Sequence, residues 1–459
     1  MGTGAQAAEG GSAPRRLFGT DGIRGVANAE LTPELAVGLG RAVVRMLREE
    51  SGMARPHVVV GRDPRASGEM LEAALVSGIT SAGGDVTAVG VLPTPAVALL
   101  TVELGADSGA MISASHNPVA DNGIKFFGRD GYKLTDAEED RVEELLQRLP
   151  EDRPTGIDIG RLSVRHDLID RYIDHLAATV SAPLAGLRVV VDCANGSASP
   201  VSPALLARLG CDVIAINAEP DGTNINAGCG STYPDVVAAA VVEHGADVGL
   251  AHDGDADRLI AADATGAVVD GDTILAILAA RQRTEAGLDT VVTTVMTNMG
   301  FKQAMWRLGL EVVETKVGDR YVLEAMRAGG HPLGGEQSGH VIMLDHSTTG
   351  DGVLTAVHLL AAVVQTGRPL AELAQVMRRL PQVLVNVPGV DRDRLEDAAT
   401  LWRAVDDEAR ALEGSGRILV RASGTEPLVR VMVEADSEDR AEDVAQRLAK
   451  VVAAELPLS

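Results

Sequence analysis

The sequence predicts an α/β protein made of three related α/β domains and a smaller C-terminal α+β domain. Three observations carry this. One strand–helix–strand pattern occurs three times along the chain. Each copy is followed by a glycine-rich stretch with unusual polar residues, and the text after Leu380 takes a different rhythm.

The opening residues, "MGTGAQAAEGGSAP", are small and polar, so Met1 to Pro14 are expected to be disordered. They contain no apolar export core, and Gln6 stands where a myristoylation signal needs Ser or Thr. The first copy is "HVVVGRDPRASGEMLEAALVSGITSAGGDVTAVG", the second "LRVVVDCANGSASPVSPALLARLGCDVIAIN" and the third "DTVVTTVMTNMGFKQAMWRLGLEVVETKVGD". In each, a short β-branched run, a polar loop, an amphipathic helix and a second aliphatic run read as buried parallel strands around a helix. The stretches that follow are "GADSGAMISASHNP", "GADVGLAHDGDADR" and "GGHPLGGEQSGH". Their irregular spacing excludes a solenoid. Ligands of such sheets gather at the carboxyl ends of strands, so the three loops are expected to face a shared cleft. The tail reads strand ("PQVLVNVPGV"), acidic helix, hairpin ("GRILVRASGTEPLVRVMVEA") and final helix. The expected domain limits are 15–160, 161–262, 263–380 and 381–459.

A length of 459 residues suits three or four domains. Hydrophobic residues make up 46% but aromatic ones only 2%, so the cores are aliphatic. The formal charge of −24 argues against a nucleic-acid partner and an anionic membrane surface, while leaving local arginine clusters free to hold small phosphorylated ligands. Cys193, Cys211 and Cys229 are odd in number and lack C-x-x-C spacing, which points to a reducing cytoplasm. No run approaches the ~18 apolar residues that a membrane span needs.

The strongest local signal is "HDGDADR". Alternate side chains of an extended segment share a face, so Asp253, Asp255 and Asp257 can converge. Two carboxylates ~4 Å apart repel by about 4 kcal/mol at an effective dielectric of about 20, so a divalent cation is expected among them. An EF-hand is excluded, because its glycine position is Arg258 and its closing glutamate position is Ala264. A solvated acidic turn is the plain alternative. Arg258 could hold a phosphate beside the metal.

Ser115, in "ISASHNP", has three readings. As an acyl-transfer nucleophile with His116 as base it lacks the G-x-S-x-G elbow, and neighbours on an extended loop point apart. As a phosphoryl acceptor it would need a cation nearby. On this segment alone an ordinary Ser/Asn turn is the simpler reading. "RILVRASGTEPLVRV" reads as a hairpin with anion donors in Arg421, Ser423, the Gly424 amide and Thr425, and with Arg430 beyond; a structural turn fits it equally. "GGEQSGH" offers Glu336, Ser338 and His340 to sugar hydroxyls. Arg24 lies in a glycine-bounded loop. Taken singly, His252 reads as a satisfied core histidine, Lys125 as a surface lysine and Cys193 as a small buried hydrophobe.

Together, the serine loop, "DGDADR", "GEQSGH", "RASGTEP" and the Arg24 loop resemble the α-D-phosphohexomutase family, in matching order after Pro14. The resemblance implies three α/β/α domains with mixed sheets and a fourth around a central cleft. It also implies a phosphoserine at Ser115, and Mg²⁺ held by Asp253, Asp255, Asp257 and the serine phosphate. Arg258 and His116 would support that phosphate. Lys125 would transfer protons or stabilise charge, with Arg24 close by, and His340 would be a general acid/base. Glu336 and Ser338 would bind the sugar, and Arg421, Ser423, Gly424, Thr425 and Arg430 the phosphate that is not transferred. Gln337 and Gly424 point to members acting on glucosamine phosphates, through a glucosamine 1,6-bisphosphate intermediate, rather than on glucose or mannose phosphates. The product would feed UDP-N-acetylglucosamine and cell-wall synthesis, and many members form homodimers. A metal-dependent phosphatase and a non-enzymatic binding protein are the alternatives, separated by phosphate release and by the effect of Ser115→Ala.

Overall fold

The computed structural model describes residues 16–19, 21–149, 153–181, 183–412, 414–423 and 428–458. The extension expected over Met1–Pro14 lies outside them, as do Gly424 and Thr425. Strands among the described residues form four sheets. In spatial order the first comprises Ile23–Val26, Asp121–Gly128, Ser108–Ile112, His57–Arg62, Asp85–Val91 and Leu162–Val164. The second comprises Val268–Val269, Leu259–Asp263, Val248–His252, Arg188–Asp192 and Asp212–Ile216. The third comprises Glu311–Thr315, Thr290–Thr294, Leu333–Gly335 and Val341–Met343. The fourth is antiparallel, in the order Gln382–Pro388, Leu428–Glu434, Arg417–Ala422. Leu162–Val164 and Val268–Val269 carry the first and second sheets a few residues past the divisions expected at 160 and 262.

Strand alternation explains the layering. Val58 and Val60 face a core with Leu39, Leu71 and Ile79, whereas Val59 between them faces Val97 and Leu100 on the opposite side. In the second sheet Val190 packs on Val237 and Val241, while Val189 and Val191 meet Leu205 and Leu206. In the third, Val292 faces Val322 and Met326, and Val291 faces Phe301 and Met305. Buried on both faces, the central strands of each sheet make an α/β/α layer. One face of all three sheets shares a single continuous core, which fixes the three domains against one another. The fourth sheet has a core of its own, with helices Ala399–Ala411 and Glu438–Glu455.

Local chemistry sets the helix ends. Thr32 caps helix Pro33–Ser51 by accepting from the Leu35 amide, and Gly52 closes it at φ 69°. Thr135 and Glu138 form a reciprocal capping box on Asp136–Gln147. Helix Gly352–Thr366 is almost wholly buried, yet among the described residues no single helix is long and apolar enough to cross a membrane.

His358 on that helix supplies an acid-sensitivity prediction. Burial, then the charges of His346 and Arg281, pushes its imidazole down to about 3. A depressed histidine contributes stability that is complete above its unfolded value and is lost as pH falls toward the folded one. That loss runs at ~1.4 kcal/mol per pH unit below the unfolded value of about 6.5. The wild-type melting temperature should therefore fall more between pH 7 and pH 5 than that of His358→Asn. Parallel curves would contradict the assignment.

Candidate active site

The three expected loops occupy one topological position. In the first sheet, Ser108–Ile112 runs parallel to His57–Arg62 and turns back antiparallel into Asp121–Gly128. Val248–His252 repeats this with Arg188–Asp192 and Leu259–Asp263, and Leu333–Gly335 with Thr290–Thr294 and Val341–Met343. The intervening turns hold Ser115, the aspartate trio, and the segment Glu336 to His340. All are hairpins at the carboxyl end of a strand.

Ser115 is 1% exposed and its hydroxyl donates to Asp253 Oδ2 at 2.6 Å, across the boundary between the first and second sheets. It has φ 52°, a left-handed conformation. That twist brings Ser115 Oγ to 3.2 Å from His116 Nδ1, so the expectation that neighbouring side chains point apart on an extended loop does not hold. The argument from alternation fails for the aspartates too. Residues 253–258 form a turn, with Ala256 at φ 58° and its amide donating to the Asp253 carbonyl at 3.1 Å. A turn gathers the three carboxylates where a strand would only align them.

Asp253, Asp255 and Asp257 are buried, with one oxygen from each within 4.8 Å of the others. Among the described residues Asp255 Oδ1 and Asp257 Oδ1 have no hydrogen-bond partner. Buried, converging, unsatisfied carboxylate oxygens fit a hard divalent cation. Burial, then the charges of Asp257 and Asp255, drives the Asp253 carboxyl well above its ordinary range. Burial also opposes ionisation of Asp255, but Lys125 Nζ at 2.9 Å and the Thr94 hydroxyl at 2.6 Å outweigh it and hold that carboxyl low. Lys125 is thus 3% exposed and ion-paired, not a surface lysine. His252 is satisfied as expected, contacting Ser202 Oγ at 3.0 Å and the Arg258 carbonyl at 3.2 Å. Arg258 donates its amide to Asp253 Oδ1 at 3.2 Å, and its Nε lies 3.8 Å from Asp257 Oδ1.

Charges of alternating sign link the Ser115 loop to the loop from Glu336 to His340. Lys125 Nζ lies 3.7 Å from Asp21 Oδ1, and Asp21 pairs with Arg24 and, at 2.6 Å, with Lys133. Lys133 also pairs with Asp319, which lies 4.0 Å from His340 Nε2, and His340 Nδ1 lies 3.5 Å from Asp257. Burial lowers the basicity of His340, yet Asp257 and Asp319 reverse this and raise its pKa. Glu336 accepts from the Gly318 amide at 3.1 Å, and among the described residues the buried Ser338 hydroxyl has no hydrogen-bond partner. Sequence reasoning missed Asp21, Lys133, Asp319 and Thr94. Asp21 alone carried a signal, three residues before Arg24 in the same loop.

The hairpin that carries Arg421 and Arg430 lies elsewhere, on the fourth sheet, which Arg417 ties to the third by donating to the Val295 carbonyl at 2.6 Å. Arg421 and Arg430 are cross-strand partners on this hairpin, and buried Ser423 stands beside them.

Four family models match the chain. Phosphoglucomutase/phosphomannomutase alpha/beta/alpha domains I, II and III match residues 15–153, 170–266 and 270–380, and the C-terminal domain matches 384–451. The chain belongs to the phosphoglucomutase/phosphomannomutase family. Among family members, proteins named phosphoglucosamine mutase from Streptomyces griseus and Thermobifida fusca are 59% and 58% identical, over 95% and 97% of this chain and 98% and 99% of theirs. A phosphoglucomutase/phosphomannomutase family protein from Burkholderia thailandensis superposes with TM-score 0.81 at 25% identity, covering 96% of this chain and 99% of its own. An Aspergillus fumigatus N-acetylphosphoglucosamine mutase, solved with GlcNAc-6P and magnesium, shares the fold at TM-score 0.65 and 19% identity, over 95% of each chain.

Proposed function

We propose that this family member is a phosphoglucosamine mutase, interconverting glucosamine 6-phosphate and glucosamine 1-phosphate. The observation that carries the chemistry is the 2.6 Å contact between Ser115 Oγ and Asp253, within a buried acidic trio. Near-60% identity to proteins of that name, over nearly the whole chain, carries the choice of sugar. Phosphoserine at Ser115 gives its phosphoryl group to the sugar O1: the P–O bond to serine breaks, one to the sugar forms, and the hydroxyl proton passes to a base. His340 takes that proton, and Lys125, an ammonium paired with Asp255 and Asp21, stabilises the charge that develops. The resulting 1,6-bisphosphate turns over in the cleft and returns its other phosphoryl group to Ser115. A covalent carrier divides one hard transfer into two easier ones. Mg²⁺ held by Asp253, Asp255 and Asp257 would supply charge neutralisation at the phosphoryl oxygens.

Arg258 and His116 hold the serine phosphate, and Arg24 supports the transfer. Glu336 and Ser338 orient the sugar hydroxyls. Arg421, Ser423, Gly424, Thr425 and Arg430 grip whichever phosphate is idle, from a fourth domain whose separate core suits hinged opening. Domain limits close to 160, 262 and 380 fit this division of labour. Assaying glucosamine, glucose and mannose phosphates side by side tests the proposal. The glucosamine substrates should turn over fastest; far slower turnover of glucosamine phosphate would contradict it.

A further inference from the structure

Ser115 is held by two side chains that the chemistry above does not use. Arg65 is fully buried and donates through Nε to Asp63 at 2.9 Å. Its Nη2 donates to the carbonyls of Ser115 at 3.1 Å and Asn117 at 2.8 Å, while Nη1 bonds the Pro118 carbonyl. Its guanidinium is thus shared between the Asp63 carboxylate and the backbone of the serine loop. From the second domain, the Asn226 amide donates to the same two carbonyls, at 2.9 Å on Ser115 and 3.1 Å on Asn117.

The backbone around these contacts is strained. Among the described residues seven non-glycine positions have positive φ, and six of them are Ser115, Ala194, Asn195, Asn217, Asn226 and Ala256. The Asn226 backbone N–H donates to Ala194 O at 2.9 Å, and that of Asn195 to Asn217 O at 2.6 Å, so the strained residues of the second domain support one another. Gly254, between two of the aspartates, is wedged against the same point. A Cβ there would lie 2.5 Å from Ser115 O and 2.8 Å from Asn226 Nδ2. Strain of this kind persists only where surroundings enforce it, and it concentrates at functional sites.

We infer that Asn226 and Arg65 are positioning residues that clamp the Ser115 carbonyl from two domains and so fix where its hydroxyl stands against the aspartate trio. Arg65 sets the loop within its own domain. Asn226 ties the loop to the domain that carries the trio, so the donor–acceptor alignment spans the boundary without drifting. The inference rests on Ser115 being the phosphoryl carrier.

Asn226→Gly and Asn226→Asp test it. Glycine adopts φ 56° freely and removes the donor; aspartate keeps the shape, tolerates the conformation, and turns acceptors toward the carbonyls. Asn226→Gly should melt close to the wild type and Asn226→Asp, whose carboxylate faces two carbonyls, lower, while kcat falls in both on the order of 10²-fold, the effect of ångström-scale misplacement. KM for glucosamine 6-phosphate should stay within about twofold, because the clamp does not touch the sugar. Arg65→Lys, whose compact ammonium cannot reach all three carbonyls, should show the same split. A kcat within about twofold of wild type in both Asn226 variants overturns the inference. A change confined to KM overturns it too. Ser115→Ala is run beside them. Full turnover by that variant removes the reading of Ser115 and the inference with it, whereas an inactive Ser115→Ala beside fully active Asn226 variants removes the inference alone.

Discussion

Ser115→Ala should abolish mutase turnover while leaving the fold intact. Removal of a covalent nucleophile lowers kcat on the order of 10⁴-fold or more, because no neighbouring group can take over the bond it makes. His116, the nearest candidate at 3.2 Å, is a poor substitute: burial, then the charges of Arg258 and Arg24, lowers its pKa and with it the basicity of the imidazole. Asp253 loses only one of its hydrogen bonds, keeping that from the Arg258 amide at 3.2 Å. Thermal melting should therefore change little. Intact-mass measurement should find one phosphate on a fraction of wild-type molecules and none on the variant. Undiminished turnover by the variant would sink the covalent route.

Lys125→Met should be nearly as damaging, and in two ways. Lys125 is buried against Asp255 at 2.9 Å, and truncating one partner of a buried pair costs about 3–5 kcal/mol where the remaining charge has no other compensation. A divalent ion among the aspartates offsets part of that penalty, so melting should drop more in chelator than in magnesium. Turnover should fall ~10²–10³-fold, the range for a lost group that stabilises charge in the transition state. The loss should lie in kcat rather than KM. A variant that melts lower but turns over normally would reduce Lys125 to a structural counter-ion.

Much of this was legible in the chain, for identifiable reasons. The three strand–helix–strand copies are local patterns, and local patterns survive into the structure: His57–Arg62, Ala66–Ser81 and Asp85–Val91 follow the first copy. The hydrophobic alternation that divides Val58 and Val60 from Val59 is likewise written in consecutive residues. The DGDADR cluster is legible through its composition, although its carboxylates converge through a turn and not through strand alternation. Strand alternation cannot apply where Ala256 takes a left-handed turn, and no sequence rule flags an alanine as doing so.

What stayed hidden depends on distance along the chain. Lys133 reaches Asp21 across 112 residues and Asp319 across 186, and "GYKL" carries no signal of either contact. Asn226 meets Ser115 across 111 residues. Lys125 reads as exposed because lysines mostly are, and only its two acidic partners explain its burial.

The account turns on phosphate passing through Ser115, and a single-turnover chase follows that passage directly. Enzyme carrying a radiolabelled phosphoserine is mixed with unlabelled glucosamine 6-phosphate, quenched at short intervals, and separated into protein, bisphosphate and monophosphate fractions. The label should leave the protein, appear first in the 1,6-bisphosphate and then in glucosamine 1-phosphate, at rates compatible with kcat. Glucosamine 1-phosphate that accumulates unlabelled while the serine keeps its label would contradict it.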